Sequence, residues 1–291
     1  MYTMRPAEFA YHRPSTLDEA IALLSDGGGE VRALAGGHSL LPLMKLRLAT
    51  PAALVDIGHV PGLDGISQEN GGVVIGALAT HAQVAGSKVM IGIAPVIPET
   101  AGQIGDVQVR NRGTIGGSVA HADPNADYPT VLKALGATIT ATGEGGERTI
   151  AADDFFRGIF TTALEPDELV TSINVPATPA GTGAAYVKHR HPASFYAVVG
   201  IAAVVSVESG KCTAARITIG GVTSPPVHAT AAAESLVGSA GDAEAIAAAA
   251  AKVPEVLGDA IGDSYASGEY RTHLAEVLTK RALEKAFERA T

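Results

Sequence analysis

Ala35-Gly36-Gly37-His38-Ser39-Leu40-Leu41-Pro42 and, well downstream, Gly113-Thr114-Ile115-Gly116-Gly117-Ser118 stand apart from the rest of the chain. Each sets a glycine pair beside a hydroxyl residue, and the first lies between a strand-like run, Val31 to Ala35, and an expected helix. Backbone amides exposed at such a turn bind phosphate oxygens without any lysine, because glycine lets the backbone come close. Two such loops converging on one diphosphate suit a dinucleotide held with few cations. Neither G-x-G-x-x-G nor G-x-x-x-x-G-K-[ST] occurs in the sequence, which excludes a Rossmann or P-loop site. Taken singly, each pair is also readable as an ordinary tight turn.

Outward from the first stretch, Thr16 and Glu19 have capping-box spacing. Leu17, Ala20, Ile21 and Leu24 then share a helical face, and Gly27-Gly28-Gly29 closes the helix. Further strands are expected at Ala53–Ile57, Val73–Gly76, Thr138–Thr142 and Leu169–Val175. Helices are expected near Ala79–Ala85, Ala94–Ala101 and Asp127–Leu135, and Gly143-Glu144-Gly145-Gly146 reads as a hairpin turn. A linker containing Pro176, Pro179, Gly181 and Gly183 then leads to three strand-like runs, Ala184–His189, Ala197–Glu208 and Thr213–Gly221. Alanine-rich helices follow around Ala229–Val237, Asp242–Val253 and Tyr270–Ala290. The alternation over the first 175 or so residues indicates an α/β or α+β core, and the strands followed by helices beyond it a small α+β domain. The domains expected cover 1–176 and 177–291, the second with a three-stranded sheet and helices.

Composition narrows the chemistry. The 291 residues carry 21 basic against 30 acidic side chains, a net charge of −9, which argues against a nucleic-acid partner. Cys212 is the single cysteine, so no disulfide framework, zinc ribbon or iron–sulfur cluster can be built within the chain. The 34 glycines are a surplus over average usage of roughly 7%. The apolar run Ala197 to Val207 is too short for a membrane span of about 20 residues. Met1 to Tyr11 has neither a basic leader nor an apolar core, so a cytoplasmic location is expected.

The first stretch, continued by Lys45-Leu46-Arg47-Leu48-Ala49-Thr50-Pro51, resembles the first flavin loop of the medium subunits of molybdenum hydroxylases. Ile75-Gly76-Ala77 leading into Thr80-His81 is similar in the same way. Val109 to Ser118, with Asp123-Pro124 and Asp127-Tyr128-Pro129 behind it, resembles the second loop. The likeness runs from about Phe9 to the carboxyl terminus and is strongest to the carbon-monoxide-oxidising branch. It implies an α+β chain: a two-subdomain FAD-binding fold of the vanillyl-alcohol-oxidase type, with subdomains about 1–57 and 58–176, closed by a separate α+β carboxy-terminal domain. It also implies an electron-transfer role, in which the molybdenum cofactor sits in a large partner subunit and [2Fe-2S] clusters in a small one. The assembly implied is a dimer of heterotrimers, with a quinone or other respiratory-chain acceptor and contact with the inner face of the membrane through the complex. The same subunit in an aldehyde-, purine- or N-heterocycle-oxidising enzyme is the alternative. A stand-alone flavin oxidase is a further one, but no substrate domain or catalytic base of its own is evident.

Carried over residue by residue, the resemblance assigns Ala35, Gly36, Gly37, His38, Ser39 and Leu40 to the cofactor, together with Thr114, Ile115, Gly116, Gly117 and Ser118. Ile104 and Gly105 match a segment near the flavin ring, Asp123 an acidic position of the second loop, and Leu169 an apolar position beside the ring. Lys188 matches a lysine near the ring, where a cation could stabilise negative charge, and Tyr196 an aromatic over one ring face. The family often has an acidic residue just before that aromatic, where this chain has Phe195. Other residues carry plainer readings. His189-x-His191 is a surface pair without an obvious third metal ligand. Asp123 and Asp127, if both helical, would share a face, though Asp127 is more simply a helix amino-terminal residue. Cys212 reads as a small buried hydrophobe. Arg110 and Arg112 are readable as contacts to an acidic partner surface or as solvated loop charges.

Overall fold

The computed structural model describes residues 4–290. Near the amino terminus, Thr16 caps the helix Leu17–Asp26 by accepting from the Glu19 amide. The reciprocal half of the box shifts by one residue, since the Glu19 carboxylate takes the amide and hydroxyl of Ser15. Ala20, Ile21 and Leu24 form the buried face and pack on Val55 and Ile57. This helix connects β1 (Ala10–His12) to β2 (Val31–Leu34), and both strands lie parallel to β3 (Ala53–Asp56) in a three-stranded sheet. Positive φ falls at Gly28 and Gly29, whereas Gly27 remains right-handed.

A second sheet holds β4 (Ile66–Glu69), β5 (Gly72–Gly76), β6 (Thr138–Gly143), β7 (Gly146–Ala151) and β10 (Leu169–Pro176), in the order β4-β5-β10-β6-β7. Every pairing in it is antiparallel. Glu144 and Gly145 are the loop of the β6–β7 hairpin. A small ribbon, β8 (Phe156–Gly158) and β9 (Thr161–Thr162), lies between β7 and β10 in the chain. The third sheet comprises β11 (Thr182–Arg190), β12 (Ala197–Glu208), β13 (Lys211–Gly220) and β14 (Val227–His228). It therefore has four strands where three were expected. The fourth is only two residues long, paired at Thr218 and Ile219, too short to show an alternating pattern. The helix Gly268–Ala290 packs along β11 and β12.

The helix Asp127–Leu135 lies between the second and third sheets and buries every residue from Asp127 to Ala134. A helix enclosed on all sides must pair whatever charge it carries. Lys133 accordingly donates to the Pro226 carbonyl at 2.8 Å, and Asp127 receives Tyr186 and Lys188 from β11. The core formed around this helix takes Ile75, Ile139 and Ile173 from the second sheet and Ala184, Tyr186 and Ala202 from the third.

Arg271 completes the junction. Its side chain is 2% exposed, and its guanidinium donates to Asn125 Oδ1, the carbonyls of Val198 and Gly221, and Asp263. The same loop is stitched by the Ala197 amide to the Asn125 carbonyl and the Gly221 amide to the Pro124 carbonyl. Arg271→Met leaves several buried acceptors without donors, so we expect a loss of about 3 kcal/mol in unfolding free energy. Urea denaturation of the chain measures it, and an unchanged midpoint would contradict the role given to Arg271.

Candidate functional site

Between the sheets runs a cleft of about 840 Å³, within the range of roughly 300–1,000 Å³ usual for cofactor sites. Its lining includes Ala35 to Leu40, Ile104, Gly105, Thr114, Gly116 to Ser118, Asp123, Leu169 and Tyr196. Residues far apart in sequence are thus brought to one place. Two expected residues stand outside it. Ile115 is fully buried in the core beneath the cleft, because the first helical position after Thr114 turns inward. Lys188 sits behind the wall rather than in it.

The two glycine segments differ in kind. Gly36 and Gly37 lie in a loop running from β2 into the short helix Leu40–Lys45. A Cβ on Gly36 would meet the Arg112 carbonyl at 2.2 Å, and Gly37 has φ +72°. The first glycine therefore serves the contact with the second segment, and the other serves the turn. Gly116 and Gly117, expected in a loop, instead occupy the first turn of the helix Ile115–His121, capped by Thr114. A Cβ on Gly116 would strike Ala77, so this glycine serves helix packing.

Their amides differ too. In the second segment the Ile115 and Gly116 amides donate to Ala79 and Ala77, Gly117 to the Thr114 hydroxyl, and Ser118 to the Thr114 carbonyl. In the first, the five successive amides of Ala35 to Ser39 have no acceptor among the described residues. Unpaired backbone donors facing a cleft are a binding site for anionic oxygen. The lining contains one Lys or Arg, Arg32, against four carboxylates, Asp123, Asp127, Glu165 and Glu168. Amides, rather than cationic side chains, are the available anion donors. Gly117 stands beside them, its ideal Cβ 3.9 Å from Ala35 Cβ.

Two other lining segments are held from behind. Arg110, read from sequence as a partner contact or a solvated charge, is half-buried, and its guanidinium donates to the carbonyls of Ile104 and Gly105 at 3.0 and 2.9 Å. Lys188 donates to the Gln103 carbonyl at 3.0 Å, the Phe195 carbonyl at 2.8 Å and the Asp127 carboxylate at 2.9 Å. Asp127 is thus far more than a helix amino-terminal residue. Burial pushes its carboxyl upward, and Lys188 and the Tyr186 hydroxyl oppose that shift. Asp123 is not on the helix; its carboxylate accepts the Asn125 amide in a turn before it, so the two acids do not share a helical face. Burial likewise raises the Tyr196 phenol, reinforced by the charge of Asp123. His189 and His191 pack against Tyr265, and His191 Nδ1 accepts the Ala193 amide. Cys212 is 1% exposed.

His81 is a lining residue that the sequence marked only as part of a motif. Burial lowers its pKa to about 4, with His38 and Arg110 adding to the effect, so it is neutral near pH 7, its Nδ1 3.3 Å from the Tyr128 hydroxyl. A folded-state value below the ordinary 6.5 means that protons favour unfolding. The contribution is complete above about pH 6.5 and is lost as pH falls towards 4. We expect His81 to cost about 2 kcal/mol of stability between pH 7 and pH 5. His81→Gln should remove that part of the slope in urea titrations at the two pH values, and an unaltered slope would refute the assignment.

Residues 7–178 match the family described as the FAD binding domain in molybdopterin dehydrogenase, and residues 184–286 the CO dehydrogenase flavoprotein C-terminal domain. The chain is 42% identical to the carbon monoxide dehydrogenase medium chain of Afipia carboxidovorans, over 99% of both chains. It is 39% identical to the 6-hydroxypseudooxynicotine dehydrogenase complex subunit alpha of Paenarthrobacter nicotinovorans, over 99% of this chain and 97% of that one. Its fold superposes with a TM-score of 0.95 on a chain of carbon monoxide dehydrogenase from Hydrogenophaga pseudoflava, at 40% identity, covering 98% of this chain and 99% of that chain.

Proposed function

The chain belongs to the FAD-binding medium-subunit family of the molybdenum hydroxylases, and from that premise we propose that it is the flavoprotein component of a carbon monoxide dehydrogenase. Its cofactor is FAD, and the molybdenum and iron–sulfur centres belong to other subunits. A lone cysteine agrees with that division, since each cluster needs several thiolates. The partners proposed are a small iron–sulfur subunit and a large molybdenum subunit, paired as a dimer of heterotrimers. A quinone or other respiratory-chain acceptor receives the electrons, with the complex meeting the inner face of the membrane. Among the described residues no helix is long and apolar enough to cross one.

The observation that carries the cofactor assignment is the run of five unpartnered amides, Ala35 to Ser39, along a cleft with a single cationic side chain. In this reading these amides hold the diphosphate, as neutral donors aimed at fixed anionic oxygens. Gly117 and Ser118 complete that part of the site, Gly117 by leaving room and Ser118 with its hydroxyl. Ile104, Gly105, Leu169 and Tyr196 line the flavin ring, and Asp123 lies beside Tyr196. Bound there, FAD would supply one-electron uptake and two-electron release, and the chain's residues would bind, orient and shield it. Lys188 is assigned no contact with the ring.

Two measurements test this. The purified chain or its complex should be yellow and release FAD on denaturation, and Gly117→Val should lower flavin content about tenfold or more by blocking close approach. Gly145→Ala, in an exposed turn with open space around it, should leave it unchanged. Retention of full flavin by Gly117→Val would overturn the diphosphate assignment. For the substrate, the intact complex should reduce an artificial acceptor with carbon monoxide. The likeness to a 6-hydroxypseudooxynicotine dehydrogenase subunit makes N-heterocycle oxidation the second reading. Turnover with N-heterocycles and none with carbon monoxide would select it.

A further inference from the structure

Lys188 presents an arrangement that direct contact with the cofactor does not explain. It lies two residues from Tyr186 on β11, so both side chains leave the same face of the sheet, towards the buried start of the helix Asp127–Leu135. An ammonium group has three hydrogens, and here three acceptors meet it: Asp127, the Gln103 carbonyl and the Phe195 carbonyl. Its side chain is 2% exposed. No donor is left for a ligand.

The two carbonyls belong to separate walls of the cleft. Gln103 immediately precedes Ile104 and Gly105, whose own carbonyls are held by Arg110. Phe195 immediately precedes Tyr196. It has φ +61°, an uncommon state for a bulky residue that persists only when its surroundings enforce it. Three contacts do so: Lys188 on its carbonyl, the His191 carbonyl on its amide at 2.9 Å, and the Arg190 guanidinium 4.8 Å from the centre of its ring. A single ammonium group therefore ties Gln103–Gly105 to Phe195–Tyr196. Asp127, accepting from Tyr186 Oη at 2.6 Å as well, supplies the opposite charge without which the ammonium could not be buried.

We propose that Lys188 is a positioning residue: backed by Asp127 and Tyr186, it fixes Phe195 so that Tyr196 lies against the flavin ring, and fixes Gln103 so that Ile104 and Gly105 are set in register with it. The docking of the carboxy-terminal domain on the helix Asp127–Leu135 thereby shapes the ring's surroundings. This rests on the reading that Tyr196 covers the ring.

The test is a mutant cycle on the intact, purified complex, reading flavin content and the fluorescence of bound flavin, which a stacked tyrosine quenches. Lys188→Met alone strands a buried carboxylate, so the variant used is D127N/K188M, which removes both charges together. Flavin content should remain near wild type while fluorescence rises about fivefold as stacking is weakened. Tyr196→Ala alone should give a rise of similar size. Combining all three substitutions should add nothing, since residues that act through one another are not additive. Unchanged fluorescence in D127N/K188M would overturn the proposal, and so would an effect that persists in full in the Tyr196→Ala background, which would mean direct action on the ring. No rise with Tyr196→Ala in a complex that retains flavin would instead refute the placement of Tyr196.

Discussion

The site depends on one close approach. Gly36, leaving the parallel sheet, lies so near Arg112 and Gly113, on the approach to the helix Ile115–His121, that a methyl group would overlap the Arg112 carbonyl. Backbone meets backbone because no side chain intervenes. Held by that contact, the loop after β2 turns through Gly37, and its amides from Ala35 to Ser39 remain unpaired along the cleft. Donors fixed in this way need no rearrangement to receive an anion. A lysine-based site would have to order flexible side chains on binding.

The same economy applies where the third sheet docks. Burying the helix Asp127–Leu135 between two sheets obliges Asp127 and Lys133 to find partners, and the third sheet region provides them in Lys188, Tyr186 and the Pro226 carbonyl. Arg271 does likewise for the loop at Asn125, two residues from Asp123 in the cleft lining. The polar groups at this junction connect domain packing to the cofactor walls. Removing one partner strands the others, as with Arg271→Met, whereas replacing a whole buried set together with apolar groups of like shape costs little stability in general but would sever that connection.

Much of the fold was legible in local pattern. The cap at Thr16, the helix Asp127–Leu135, the hairpin at Glu144-Gly145 and the long strand Ala197–Glu208 follow from signals contained within a few residues. Three of the strands missed, Ala10–His12, Ile66–Glu69 and Val227–His228, are short and have no buried residue; they are strands because a neighbour pairs with them, not because of their own composition. At the site, type and order of residues were readable, but hydrogen-bond bookkeeping was not. Nothing in Gly113 to Ser118 announces that its amides are engaged internally while those of Ala35 to Ser39 are free. Nor does an arginine at position 110 reveal that it faces two carbonyls six and five residues upstream.

The sequence by itself determined the family, the cofactor class and the exclusion of clusters from this chain, because motif order and a single cysteine are properties of the string. It also determined most helices and strands, which arise from periodicity and capping among near neighbours. Only the tertiary structure decided which glycine pair offers its amides, that Ile115 turns into the core, and that Lys188 stands behind the cleft rather than in it. Each of these depends on which acceptors lie within hydrogen-bonding reach, and for Lys188 those acceptors are 61, 85 and 7 residues away along the chain. Only packing the second and third sheets around one enclosed helix brings them together.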